Sequence, residues 1–235
     1  MRFSPFAILS VLLFVGCAKH PAPEILGATH IGTVAVPDSL RAKIRFTFPS
    51  KEGSEDELSA VLFAVPGKRY RLEFTGPLGI QVASMLWKPE GWLALVHPEE
   101  RYVRGVGDTL QIPGVRMPAI PIHRLLAFSW GEVVPPGGDS AFTVSDSGRI
   151  FREWTTPEGT PVQSVADSAT GRLLALNILG GNTGENIWLE YSGETVRIIQ
   201  AGRWILGMEV QSRKPGATWG QGVWKLVIPQ GWKGN

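Results

Sequence analysis

The chain has 235 residues, 43% of them hydrophobic and 19% charged, and a formal net charge of +2. That is enough length for one or two domains with a real core. No dense Lys/Arg block accompanies the near-neutral balance, so the electrostatic footprint of a nucleic-acid-binding protein is absent.

The chain opens MRFSPFAILSVLLFVGCAKH. One basic residue, Arg2, precedes an apolar run from Phe3 to Val15, and Gly16 and Cys17 follow. Length and flanks read as a signal peptide over residues 1–16, too short to span a bilayer comfortably. Its end, Phe14-Val15-Gly16-Cys17, resembles a bacterial lipobox, with Phe14 where a leucine is usual. An ordinary signal peptide followed by a chance cysteine is the plainer alternative. On the lipobox reading Cys17 is the lipid-attachment site and the new N-terminus. It is the sole cysteine, so the mature chain would have no thiol for a disulfide. Ala18 is not the aspartate that tends to hold such proteins at the inner membrane, which favours the outer one, facing the periplasm. Residues 17–39 then form a lipidated N-terminus and tether. Pro21, Pro23 and Pro37 argue against one helix there, and the segment could extend roughly 70 Å at about 3.3 Å per residue.

From Leu40 the period becomes two. LRAKIRFTF sets Leu40, Ala42, Ile44, Phe46 and Phe48 on one face and Arg41, Lys43, Arg45 and Thr47 on the other, a half-buried antiparallel strand. ELSAVLFAV and KRYRLEFTG follow around Pro66-Gly67, and IQVASMLW, GWLALVH and RYVRG continue the meander. The rhythm stops near Gly107. A short helix is predicted from Pro121 to Trp130, with proline at the first turn, one face of Ile122, Leu125, Leu126 and Ser129, and Gly131 as its stop. Strands resume as SAFTVS, RIFREWT, PVQSVAD, RLLALNI, NIWLEY, TVRIIQ, RWILGMEVQ and GVWKLVI, joined by hairpin-type links such as DSGR and ATGR. The 28 glycines and 18 prolines suit this many turns. The whole is one long antiparallel sheet with a helical insert, and such a sheet must curl, split or close.

The chemistry-bearing groups are sparse. Four histidines occur: His20 and His30 in the tether, His97 at a strand end, His123 on the helix. No H-E-x-x-H, cysteine–histidine cluster, glycine-rich phosphate loop or G-x-S-x-G elbow is present. His97 or His123 could partner a serine, but a surface histidine is the simpler reading. The expectation is a protein that is not an enzyme and needs no cofactor or metal.

The positive signal is apolar. The runs Ile80–Leu86, Leu93–Val96, Leu173–Leu176 and Trp204–Met208 are hydrophobic on both faces or nearly so. A sheet covered on one side alone does not require that. Either something covers the second face or the inner face lines a cavity, and nine tryptophans suit both.

Several of these stretches, taken in order, resemble a known family. A lipobox and tether precede a basic-apolar first strand, then "YRLEFTGPLG", a meander, "IPIHRLLAFSWG", more strands and "WKLVIPQGW". The pattern resembles the LolA/LolB-like envelope proteins, and LolB more closely, since LolB is itself a lipoprotein. The matching landmarks are the P-L-G turn at Pro77-Leu78-Gly79 and the Pro121-Ile122 to Leu125 helix ending at Trp130-Gly131. The likeness spans most of residues 40–229, read as a single domain with a tail at 230–235. The family usually has a helix before the first strand, and here that region holds glycines and Pro37. The resemblance implies a mainly β fold with few helices, an incomplete, half-open antiparallel barrel with a helical lid. It implies an apolar cavity for acyl chains of lipoproteins or another envelope lipid, and delivery to the outer membrane. A periplasmic LolA-type carrier is the implied partner. Pro77 and Leu78 become a membrane-contact loop, and Leu86, Trp92, Ile122, Leu125, Leu126, Trp130, Trp204 and Leu206 candidate cavity or lid residues. Leu78 has a second reading, folded back on the strands. The chain has one as well, a structural or assembly lipoprotein with a filled core that binds a protein partner.

Overall fold

The computed structural model describes residues 36–50, 54–107, 120–130, 148–155, 159–170, 172–180, 184 and 186–234, together with the backbone of 141–145. The predicted signal peptide, Cys17, most of the tether and the predicted stop at Gly131 lie outside the described residues.

Alternation of side chains builds the sheet. β1 (Leu40–Pro49) buries Leu40, Ala42, Ile44 and Phe46, while Arg41 and Lys43 on its other face stay exposed. Each such apolar side chain contributes about 1.5–3 kcal/mol. A slip of one residue would turn the whole set to water, so the register is firmly specified. β2 (Glu55–Val65), β3 (Arg69–Thr75), β4 (Gln81–Lys88), β5 (Gly91–Val96) and β6 (Arg101–Gly105) follow as an antiparallel meander. Then comes α1 (Ile122–Ala127), extended by a 3-10 turn over Phe128–Trp130. A second meander runs through β7 (Ala141–Ser145), β8 (Arg149–Thr155), β9 (Pro161–Asp167), β10 (Leu173–Ile178), β11 (Ile187–Ser192), β12 (Thr195–Gln200) and β13 (Arg203–Pro215).

β13 returns beside β1, from Leu40↔Pro215 to Thr47↔Gly207, with a bulge between Lys43 and Ile44. This seam fuses the two meanders into one 14-stranded sheet with β7 at one edge and β14 (Lys233–Gly234) at the other. A twisted sheet this wide curls rather than lying flat. The product is an open half-barrel, apolar on its concave side, with α1 laid into the concavity. α1 has 6 residues, too few to be stable alone. Packing holds it: Ile122, Leu125 and Leu126 are buried, as are Ser129 and Trp130 beyond it. The predicted apolar face is the one that docks.

One predicted strand is not in the sheet. Residues 222–228 (GVWKLVI) do alternate, with Trp224 buried and Lys225 and Val227 exposed. But β13 already pairs with β1 on one side and β12 on the other, so no ladder position remains. After Gly216, at φ 68°, the chain leaves the sheet and crosses its convex side as a strap over residues 217–232. β14 ends it, pairing in parallel with β6 at Lys233↔Arg101. Residues 230–234, expected as a tail, complete this strap.

Candidate functional site

The concave face is built by register. Ala42, Leu62, Leu72, Met85, Ala94 and Val103 form one cross-strand row from β1 to β6. Across the seam, Leu206, Ile198, Leu189 and Leu176 form another. α1 and its 3-10 turn bridge the two halves. Trp130 stacks on Tyr70 at 6.1 Å and 10°, and Tyr70 meets Trp87 at 5.0 Å. On the other side Phe128 meets Tyr191 at 5.7 Å, where burial pushes the Tyr191 phenol pKa upward.

A cation from the sheet helps secure this cover. Arg213 shares the concave face with Ala42, its partner in register. Its Nε donates to the Ser129 carbonyl at 2.7 Å and its Nη2 to the Phe128 carbonyl at 3.4 Å. These are carbonyls at the end of a helical segment, which lack partners within it and carry partial negative charge. Glu194, in the β11–β12 turn, pairs with Arg213 Nη1 at 2.5 Å. Toward the rim, Phe48, Leu58, Phe74, Leu176 and Ile178 pack against the core and are half-buried.

Most predicted cavity and lid residues converge here. Ile122, Leu125, Leu126 and Trp130 come from the cover, and Trp92 and Leu206 from the sheet, all buried. Trp92 lies flat on Gly105, where an added Cβ would sit 2.3 Å from the ring. Two do not. Leu86 pairs with Arg71 and Leu93 on the convex face, buried beneath the strap. Apolar neighbours on both sides (Met85 and Trp87) hid its parity. Trp204 pairs with Ile199 on the convex face, because a bulge at Ile198/Ile199 sets Trp204 out of step with Leu206. The Arg197 guanidinium lies over its ring at 5.3 Å.

Pro77 and Leu78 sit at one end of the sheet, between β3 and β4. The Gly76 amide donates to the Ile80 carbonyl at 2.8 Å, closing a tight loop. Leu78 adopts φ 63°, ψ 14°, a left-handed conformation costing a non-glycine residue roughly 1–2 kcal/mol. It is 97% exposed and Ile80 is 61% exposed. The folded-back alternative is thus not the arrangement found.

The convex side of β2–β6 is covered by the strap. Trp219 meets Phe63 edge-on at 5.6 Å and Trp224 at 5.7 Å. Arg69 lies over Trp224 at 4.2 Å, and Arg71 Nη1 donates to the carbonyls of Val223 and Lys225 at 2.8 and 2.7 Å. Trp232 meets His97 at 5.4 Å. Beneath it, Arg71 pairs with Glu73. Glu73 Oε2 accepts from the Ser84 hydroxyl at 2.6 Å, and His97 Nε2 lies 3.0 Å from that hydroxyl. His97 does meet a serine, therefore, but Ser84 is only 2% exposed. The carboxylate also grips the serine rather than orienting the imidazole as a catalytic triad requires. This network ties strap to sheet. Sequence reasoning missed it, although Trp219, Trp224 and Trp232 close to the C-terminus were the available signal. Among the described residues no His/Cys/Asp/Glu group could hold a metal ion, and no helix is long and apolar enough to cross a membrane.

No protein-family model matches the chain, and no curated protein matches it in sequence. Solved structures do match. A LolA superfamily protein from Nitrosomonas europaea superposes with a TM-score of 0.53 at 10% identity, covering 81% of this chain and 91% of its own. An outer membrane lipoprotein-sorting protein domain from Vibrio parahaemolyticus gives 0.52 at 8% identity, covering 79% and 88%. The fold is LolA-like. At such low identity the likeness establishes the LolA-like half-barrel and nothing about cargo.

Proposed function

We propose that the chain is an envelope lipoprotein, attached to the outer membrane through Cys17, that takes acyl chains onto the concave face beneath α1 and releases them into a bilayer touched by Leu78. The observation that carries this reading is Leu78, a leucine held in water at a left-handed backbone position although turning inward would gain about 1.5–3 kcal/mol. Such a contact is strong enough to bias insertion and too weak to trap the protein. A sixteen-carbon chain is disfavoured in water by on the order of 12 kcal/mol, so a carrier needs matched apolar surface and a means of release, with no bond chemistry. The cargo is an acylated lipoprotein or another envelope lipid, received from a LolA-type periplasmic carrier.

Leu78→Glu tests it. An exposed site should change stability by less than about 0.5 kcal/mol, while a carboxylate resists entering hydrocarbon. The expected outcome is an unchanged melting temperature, unchanged uptake of a fluorescent acyl peptide, and transfer to liposomes reduced at least about tenfold. Undiminished transfer would end the membrane-probe role. The anchor is checked separately by Cys17→Ser, which should release the protein from the membrane fraction; persistence there would remove Cys17 from the scheme.

The second reading, an assembly lipoprotein with a filled core and a protein partner, draws on the burial of α1 in one apolar core together with Tyr70, Leu40 and Leu206. The acyl-peptide titration separates the two. Saturable uptake requires α1 to yield space, and a folded domain with none supports the filled core.

A further inference from the structure

The convex side of β10–β12 differs from that of β3–β6 in having no strap across it among the described residues. Asn177, Trp188 and Ile199 form one cross-strand row there. Gly184, Asn186 and the β12–β13 turn at Ala201-Gly202 raise a rim at the end of the row, leaving an open depression of about 490 Å³. An indole and a branched aliphatic chain make its floor and two amides its walls, and among the described residues no ionisable side chain lines it. Asn186 Oδ1 accepts from the Gly180 amide at 3.0 Å, and its NH₂ group has no partner among the described residues. Asn177 Nδ2 donates to Gln163 Oε1 at 3.4 Å, and its carbonyl oxygen has no partner among the described residues. Ala201 and Gly202 take φ 50° and 71°, a two-residue turn that ordinarily favours asparagine or glycine first. Alanine there gives the rim a methyl group and no competing polar side chain.

We propose that this depression binds a neutral sugar ring within a glycan chain. A pyranose has a C–H face that stacks on an indole, and equatorial hydroxyls around its edge that both donate and accept. The Asn186 amide supplies a donor and the Asn177 carbonyl an acceptor for a pair of such hydroxyls. The described lining offers no cationic group to pair with a phosphorylated or carboxylated ring. The open shape admits one ring of a continuing chain. A proline-rich peptide would also stack on the indole, but proline has no N–H to offer the Asn177 oxygen. The site is on the opposite side of the sheet from α1 and stands independently of the lipid reading.

The test is titration of the full-length protein with a soluble chito-oligosaccharide and with a malto-oligosaccharide, following the tryptophan indole N–H signals by NMR. The expected result is saturable binding of at least one, with the Trp188 signal shifting most. Trp188→Ala should weaken binding at least about tenfold, Trp188→Phe should retain most of it, and Asn186→Ala should weaken it about three- to tenfold. Should Trp188→Ala fail to fold, the Phe and Asn186 variants decide. No saturable binding of either glycan at millimolar concentration overturns the proposal, as does binding indifferent to both positions. So does a proline-rich peptide that binds at Trp188 more tightly than both glycans.

Discussion

The half-barrel carries one cover on its concave side and one over the convex side of β2–β6, and the two are made differently. On the concave side α1 and its 3-10 turn bury a mainly apolar face, with ring pairs at Trp130 and Phe128 and with Arg213 donating to two of their carbonyls. On the convex side the strap is tied at several points. Arg71 donates to two of its carbonyls, Arg69 and Phe63 meet its tryptophans, Trp232 meets His97, and β14 adds main-chain pairing to β6. The lesson concerns exchange. A cover held by non-directional apolar contact can be replaced by another apolar body, such as an acyl chain, at little net cost. A cover that satisfies buried polar groups cannot, because removing it leaves those groups without partners. On the proposed function the concave cover, held mainly by apolar contact, is the exchangeable one, and the strap is part of the fold.

The largest expected effect comes from breaking the strap. Trp224 is buried, with the Arg69 guanidinium over its ring. Trp224→Ala should cost about 3–5 kcal/mol, the range for deleting a large buried aromatic, read as a lower denaturation midpoint at unchanged slope. It should also expose apolar surface beneath the strap and raise binding of a hydrophobic dye. A loss below about 1 kcal/mol would mean the strap is as dispensable as α1, and the contrast between the covers would fall.

How much of this was legible beforehand follows the same division. Period-two patterning placed the strands through β13, and the Ile122, Leu125, Leu126 spacing placed α1 and its buried face, because those signals are local. Leu86 and Trp204 were misplaced because their orientation depends on non-local facts, the strap over β4 and the bulge opposite Ile198/Ile199. GVWKLVI alternates as a strand does, and which surface it lies on depended on whether β13 had a free edge, which only the β1–β13 seam determines. Arg213 drew no notice in the sequence, since nothing local distinguishes an arginine on a solvated face from one aimed at a helix end. The exposed state of Leu78 turned on its backbone conformation, which leucine rarely adopts and which no residue pattern announces.

The smaller effects dissect the grip on α1. Arg213 bonds two carbonyls and one carboxylate, and only the carbonyls belong to the cover. Arg213→Ala should cost about 1–3 kcal/mol, the scale for hydrogen bonds to a charged group. It should also speed uptake of an acyl probe severalfold, because the cover loses its bonds from Arg213 to the Ser129 and Phe128 carbonyls. Glu194 is more than half exposed, at 59% for its side chain. Solvent and salt screen it, and exposed pairs of this kind contribute about 0–1 kcal/mol. Glu194→Gln should thus change stability by less than about 0.5 kcal/mol and leave uptake within about twofold of wild type, since the Arg213 bonds to Ser129 and Phe128 survive. Stopped-flow fluorescence with an acyl probe, at low and high salt, ranks the two variants. If Glu194→Gln accelerates uptake as much as Arg213→Ala does, the carboxylate fixes the arginine in place and the carbonyl bonds alone do not hold the cover. If neither accelerates it, apolar packing limits entry and Arg213 contributes stability without controlling access.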